Sequence, residues 1–175
     1  RQRQMCIRDS LTAAFFESEQ TVASKDDVTG EDVDIKGLTV DGFEAELKGN
    51  LTDKFSLVAG FTAMDGETSS GGEPREIPDQ MLTLYGTYEI SDKAGVAFGF
   101  TKQGESNIKN NKPDLVLPSY TRFDMAAYYN ISDDLVLRFN VENLTDELYF
   151  PHSHSTHQAS VGEEKNVRVS ISKKF

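Results

Sequence analysis

All three histidines of this 175-residue chain fall in one stretch, Pro151-His-Ser-His-Ser-Thr-His157. Neutral imidazole suits transition metals, so His152, His154 and His157 form a candidate metal-binding set. A polar loop that holds no ion fits the same string, because no carboxylate is interleaved to complete a coordination sphere. Tyr149 and Phe150 precede the histidines and offer flat faces, either for stacking on a ligand or for the rim of an apolar surface. A second cluster, Asp26, Asp27, Glu31, Asp32 and Asp34, has the composition of a calcium loop but not its spacing, and reads as a solvated loop. Asp124 and Glu142 face one another if Ile131 pairs with Leu135. Their surroundings favour structural pairing with Arg122 or Arg138 over acid–base catalysis. There is no Gly-rich phosphate loop, no nucleophile elbow and no histidine–carboxylate spacing on regular elements, so neither an enzyme nor a cofactor is implied.

Composition narrows the classes further. The chain carries 29 acidic and 18 basic residues, a net charge of −11, which repels nucleic-acid phosphates and argues against a nucleic-acid partner. One cysteine, Cys6, makes neither an internal disulfide nor a cysteine-rich zinc site. No apolar run approaches the roughly 20 residues of a membrane-spanning helix.

The elements that must position the candidate residues have a period of two. In 123–131 every odd position is apolar, while Arg122, Asp124, Ala126, Tyr128 and Asn130 make the other row. Leu135, Leu137, Phe139 and Val141 alternate with Val136, Arg138, Asn140 and Glu142. The same alternation marks segments around 43–51, 55–61, 82–90, 96–100 and 167–171. With a first segment near 11–21, the sequence predicts eight strands and no helix. Residues 1–10, RQRQMCIRDS, lie outside this pattern and read as a non-native or disordered head, leaving 11–175 as the folding unit.

Three connections are near copies of one another: Leu51-Thr-Asp-Lys-Phe55, Ile90-Ser-Asp-Lys-Ala94 and Ile131-Ser-Asp-Asp-Leu135. Ser, Thr and Asp suit tight turns because their side chains bond nearby backbone groups. The other connections, roughly 22–36, 65–79, 104–118 and 148–163, are long and polar. Strict alternation of short and long connections puts every long loop at one end, which a soluble sandwich has no reason to do and an outer-membrane barrel does. Segments of about 9–12 residues also match tilted strands crossing a bilayer. Charges inside the strands, such as Glu44, Glu46, Lys48, Arg138 and Arg168, then line a wet or plugged lumen. The fold class is thus all-β, an antiparallel transmembrane barrel or a part of one.

Several strings resemble TonB-dependent receptors, and the siderophore receptors among them most. Asp41-Gly-Phe-Glu44 resembles their Gly-x-Glu strand opening. Ile77-Pro-Asp-Gln-Met-Leu-Thr-Leu-Tyr85 is similar to their proline-led descending strand, and Leu117-Pro-Ser-Tyr-Thr-Arg-Phe-Asp124 to their penultimate hairpin opening. Asn143-Leu-Thr-Asp-Glu-Leu-Tyr149 resembles the Asn-Leu-x-Asp-x-x-Tyr motif, departing from it at Thr145, where an aromatic is usual. Asn166 to Phe175 looks like the closing strand, with terminal Phe175 resembling the barrel-assembly signal and Lys173 departing from the apolar row.

The resemblance covers residues 11–175 and implies the C-terminal part of a plugged barrel of about 22 strands. It implies TonB-energised uptake of a ferric siderophore or similar scarce ligand across the bacterial outer membrane. The plug and the TonB-contacting segment would lie in a missing N-terminal part. The implied partners are that ligand, TonB, and outer-membrane lipid with lipopolysaccharide, calcium bridging to which is the alternative role for the acidic cluster. Tyr149, Phe150, His152, His154 and His157 fall in the last external loop as candidate ligand contacts. A complete eight-stranded barrel with a structural or adhesive role is the alternative, and requires the first strand to close onto the last.

Overall fold

The computed structural model describes residues 9–174, so Phe175 and residues 1–8, with Cys6, lie outside the described residues. Eight strands form one antiparallel sheet: β1 (Ser10–Lys25), β2 (Asp32–Thr52), β3 (Phe55–Thr68), β4 (Gln80–Ser91), β5 (Ala94–Gln103), β8 (Tyr120–Ser132), β9 (Leu135–Glu142) and β12 (Asn166–Lys173). Each strand pairs with its sequence neighbour in the sheet. Four two-residue strands make two ribbons in the long loops, β6 (Ser106–Asn107) with β7 (Val116–Leu117) and β10 (His152–Ser153) with β11 (Ala159–Ser160). Among the described residues β1 pairs only with β2 and β12 only with β9, so the sheet is open.

The register joins the apolar rows into one face. Phe15 opposes Phe43, Ala45 opposes Phe61, Leu84 opposes Phe100, Phe98 opposes Met125, Ala127 opposes Phe139, and Phe139 opposes Val169. This follows from the pleat, because paired residues point the same way and a slip of one would turn a whole row over. Aromatic pairs span neighbouring strands on this face, Phe15–Phe43 at 5.1 Å and Phe100–Phe123 at 5.2 Å between centroids. The opposite face carries the charged and small residues.

Among the described residues no second layer covers the apolar face. Phe15 is 87% exposed and Ile171 67%, whereas Leu117, Val141 and Tyr149 are the buried hydrophobic residues among those described. A soluble sheet would bury such a row against another element. A barrel wall offers it to lipid instead.

The three matching turns close identically. Thr52 pairs with Phe55, Ser91 with Ala94 and Ser132 with Leu135, and a bulge directly before each pair takes up Leu51, Ile90 and Ile131. Beyond the bulge the register is the one the turn spacing predicts. The hydroxyl of Thr52 accepts from the amides of Lys54 (3.2 Å) and Phe55 (3.0 Å), and that of Ser91 from Lys93 (3.3 Å). Successive turns also bond sideways: the amides of Glu89, Asn130 and Lys174 donate to the carbonyls of Lys54, Lys93 and Asp134.

Three long connections differ from expectation: the last widens to residues 143–165 because β9 ends at Glu142 and β12 begins at Asn166, the second starts only after Thr68, where β3 ends, and the first changes most. The first shrinks to residues 26–31, because β1 and β2 continue to pair as far as Lys25 and Asp32. β-branched Val22, Val33 and Ile35 and a 2.8 Å ion pair between Lys25 and Asp32 support the extension. At 16 and 21 residues these strands exceed the 9–11 needed to cross a bilayer, so the hairpin projects beyond it.

Candidate functional site

All the long loops lie at the end opposite the tight turns, and three of them interlock. Asn107, Asn110 and Asn111 supply most of the stitches. The Asn107 carboxamide donates to Glu73 (2.7 Å), Asn110 accepts from the amide of Arg75 (2.8 Å), and the amide of Asn111 donates to the Glu73 carbonyl (2.8 Å). The hydroxyl of Thr68 donates to Asn111 (2.7 Å), whose own NH2 reaches Ser70 (2.8 Å). Asn111 and Glu76 hold φ of +59° and +57°. Asparagine tolerates that region best among residues with a side chain. Glu76 then bridges to the last loop, accepting from the amide of Ser153 at 2.8 Å. The polar string 106–111 is the signal in the sequence that carried these contacts, and spacing alone did not name their partners.

The last loop is fixed to the wall at its root. Asn143 is 1% exposed, and its carboxamide is fully used. Nδ2 donates to the carbonyls of Glu147 (2.9 Å) and Glu163 (3.0 Å), and Oδ1 accepts from the amide of Glu147 (2.8 Å). Its own amide donates to Asp124 Oδ1 at 2.9 Å. Asp146 accepts from the amide of Lys165 at 2.8 Å. Asn143 and Asp146 both have positive φ, 52° and 56°. The spacing Asn-x-x-Asp therefore clamps both legs of the loop together.

Tyr149 completes the clamp. It is 6% exposed, and its hydroxyl accepts from Arg122 Nη1 at 3.1 Å. The guanidinium also donates through Nε (3.2 Å) and Nη2 (3.0 Å) to Asp124 Oδ2, which is the pairing the sequence favoured for Asp124. Tyr120 lies 4.7 Å from Tyr149 between centroids and donates to Gln103. A Cβ at Gly162 would fall inside the Tyr149 ring, so only glycine permits the backbone to pass there. The amide of Gly162 donates to the Tyr149 carbonyl at 2.8 Å.

The histidines separate into two groups. His152 Nε2 bonds the hydroxyl of Ser160 across the β10–β11 ribbon, at 2.8 Å. His154 Nδ1 and His157 Nε2 meet at 3.0 Å, their rings at 80° with centroids 5.0 Å apart. A 3₁₀ turn at Ser155–His157 causes this, because three residues per turn place positions three apart over one another. Glu76, His152, Ser153, His154, Gln158 and Ser160 line one open cleft. Phe150 lines an adjoining groove with Leu117, Pro118 and His157. The Ser153 hydroxyl is buried there without a protein partner. Phe150 and all three histidines thus stand on the outer loops, while Tyr149 faces the polar side of the wall.

In the acidic hairpin tip, Asp26 accepts from the amides of Thr29 (2.7 Å) and Val28 (2.9 Å) and from the Thr29 hydroxyl (3.1 Å). These bonds, the Thr29 amide foremost, hold its carboxyl below the usual range.

Known proteins share this architecture. Residues 9–144 match the family model "TonB dependent receptor-like, beta-barrel". A probable TonB-dependent siderophore receptor of Acinetobacter baumannii, PiuA, is 29% identical over a match covering 95% of this chain and 24% of its own. The ferripyoverdine receptor of Pseudomonas aeruginosa is 30% identical over 74% of this chain and 17% of its own. The crystal structure of PiuA superposes with a TM-score of 0.80 over 94% of this chain and 26% of the receptor, at 28% identity. That of the outer-membrane ferripyoverdine receptor bound to ferripyoverdine gives 0.78 over 94% and 25%, at 27% identity. The chain spans about a quarter of the length of these relatives, or less. The superposition shows a shared fold, the family model spans most of the chain, and the chain belongs to the β-barrel family of the TonB-dependent receptors of the outer membrane.

Proposed function

We propose that this chain is the C-terminal, loop-bearing part of the barrel wall of a receptor for TonB-energised uptake of a ferric siderophore or a similar scarce ligand. The observation that carries the reading is the clamped loop. Asn143 and Tyr149 fix residues 143–165 to the wall strand β8, Asp146 holds the two legs of that loop together, Glu76 joins it to the neighbouring loop, and Asn107 to Asn111 tie that loop to the next. A loop pre-ordered in this way loses less entropy when a ligand docks. Phe150, His152, His154 and His157 supply the ligand-facing groups of that cap, while Tyr149 acts by holding it in place. The receptors of similar sequence are named for siderophores, ferripyoverdine and ferrioxamine. The apolar face meets lipid, the outer rim meets lipopolysaccharide, and TonB acts through a part of the receptor outside this chain.

The open sheet speaks against a closed eight-stranded barrel. The test is complementation. The whole receptor gene that contains this sequence is expressed in a strain lacking its own siderophore receptors, with and without TonB. Radio-iron accumulation from a panel of ferric siderophores, abolished without TonB, is the expected result. Accumulation independent of TonB, or none from any ferric siderophore, overturns the reading.

A further inference from the structure

We propose that His154 and His157 form a two-imidazole chelate for a tetragonal dication, Cu2+ or Ni2+, on the outer surface. The two nitrogens stand 3.0 Å apart. Two nitrogens this close reach one shared ion after small turns of the rings, and imidazole nitrogen with oxygen donors in the remaining positions suits Cu2+ and Ni2+.

The local fold prepares the pair. The 3₁₀ turn eclipses the two positions, so no long-range movement is needed to bring the rings together. Both side chains are exposed, which leaves the remaining coordination positions to water or to donor atoms carried by an incoming ligand. In the free protein the same nitrogens share one hydrogen bond. Metal binding moves the shared proton, through solvent, to the other nitrogen of its own ring, and small turns of both rings aim the two freed lone pairs at one ion. His152 takes no part, because its Nε2 is held by Ser160 on the ribbon. The three histidines of the sequence therefore reduce to two.

The test uses the whole untagged receptor that contains this sequence, in detergent micelles, carrying Cys6→Ser so that the thiol does not compete. Cu2+ alone, in a buffer that does not coordinate it, is the probe. One ion per chain is expected, with nitrogen hyperfine structure from two imidazoles in its paramagnetic resonance spectrum. His154→Ala and His157→Ala should each weaken binding by about tenfold or more, since each removes half the chelate. His152→Ala should leave it unchanged. No stoichiometric binding, a one-nitrogen spectrum, or equal loss in His152→Ala overturns the proposal. The spectrum of the unsubstituted protein decides even where a variant fails to fold. Because the probe is the metal alone, failure here leaves the uptake reading untouched.

Discussion

The backbone amide of Asn143 donates to Oδ1 of Asp124 at 2.9 Å, and this bond joins the first residue of the outermost loop to the wall. The other oxygen of the same carboxylate holds Arg122, which reaches on to Tyr149. One aspartate on the polar row thus orients both the start of the loop and the aromatic that anchors its middle.

Asn143→Ala should destabilise the folded chain by about 2–3 kcal/mol, because it leaves buried backbone groups at Glu147 and Glu163 without partners. Asn143→Asp keeps the acceptor for Glu147 and loses the two donated bonds. It should not rescue stability. Denaturant unfolding in micelles gives the magnitude, and faster hydrogen exchange at the Glu147 amide gives the location. A loss under about 0.5 kcal/mol would mean that the clamp is ornamental.

Gly162→Ala forces a methyl group into the Tyr149 ring. The expected cost is about 1–3 kcal/mol, as for other overpacked sites. Tyr149→Ala makes room for the methyl group, so the double variant should be less unstable than the sum of the singles. Additive losses in this cycle would show that the two residues do not meet.

Phe139 and Asn140 are neighbours on opposite faces of β9. Arginine at 139 should cost about 2–4 kcal/mol on folding into lipid vesicles, whereas arginine at 140 should be nearly neutral. Equal effects at the two positions would remove the assignment of the apolar face to lipid. In plain detergent the difference should shrink, because micelles adapt to a charge more readily than a bilayer.

Asp26 carries a pH prediction. Hydrogen bonds from Thr29 and Val28 favour its ionised form, so its titration in the folded hairpin lies below the roughly 3.9 of a free aspartate. A lowered folded value means that the support these bonds lend is complete above the unfolded value. It is lost as the pH falls through the folded one. The Thr29 amide resonance should therefore move with a midpoint below 3.9, and Asp26→Asn should abolish that movement. A midpoint at or above it contradicts the turn geometry.

Strand number, strand order, the two faces and the three tight turns were all legible in the residues. Alternation reports a pleat directly, and the repeated Ser/Thr-Asp turns fix the register through their own side chains. The family was legible as well, from strings such as Asn143-Leu-Thr-Asp-Glu-Leu-Tyr149 taken in order with the strand pattern.

What remained for the tertiary structure was everything made by segments distant in the chain. The sequence read 22–36 as loop, but pairing between Val22 and Ile35 extends both strands, because a neighbouring strand satisfies backbone groups that polar residues would otherwise leave to water. Tyr149 read as a ligand-stacking or rim aromatic. The bend of the loop turns it onto Arg122, 27 residues earlier. Glu76 reaches Ser153 across 77 residues, a contact no local pattern encodes. Composition named three equivalent histidines. A single 3₁₀ turn brings His154 to His157, and a two-residue ribbon commits His152 to Ser160. The backbone path of the folded loop sets those distances, and residue types alone do not.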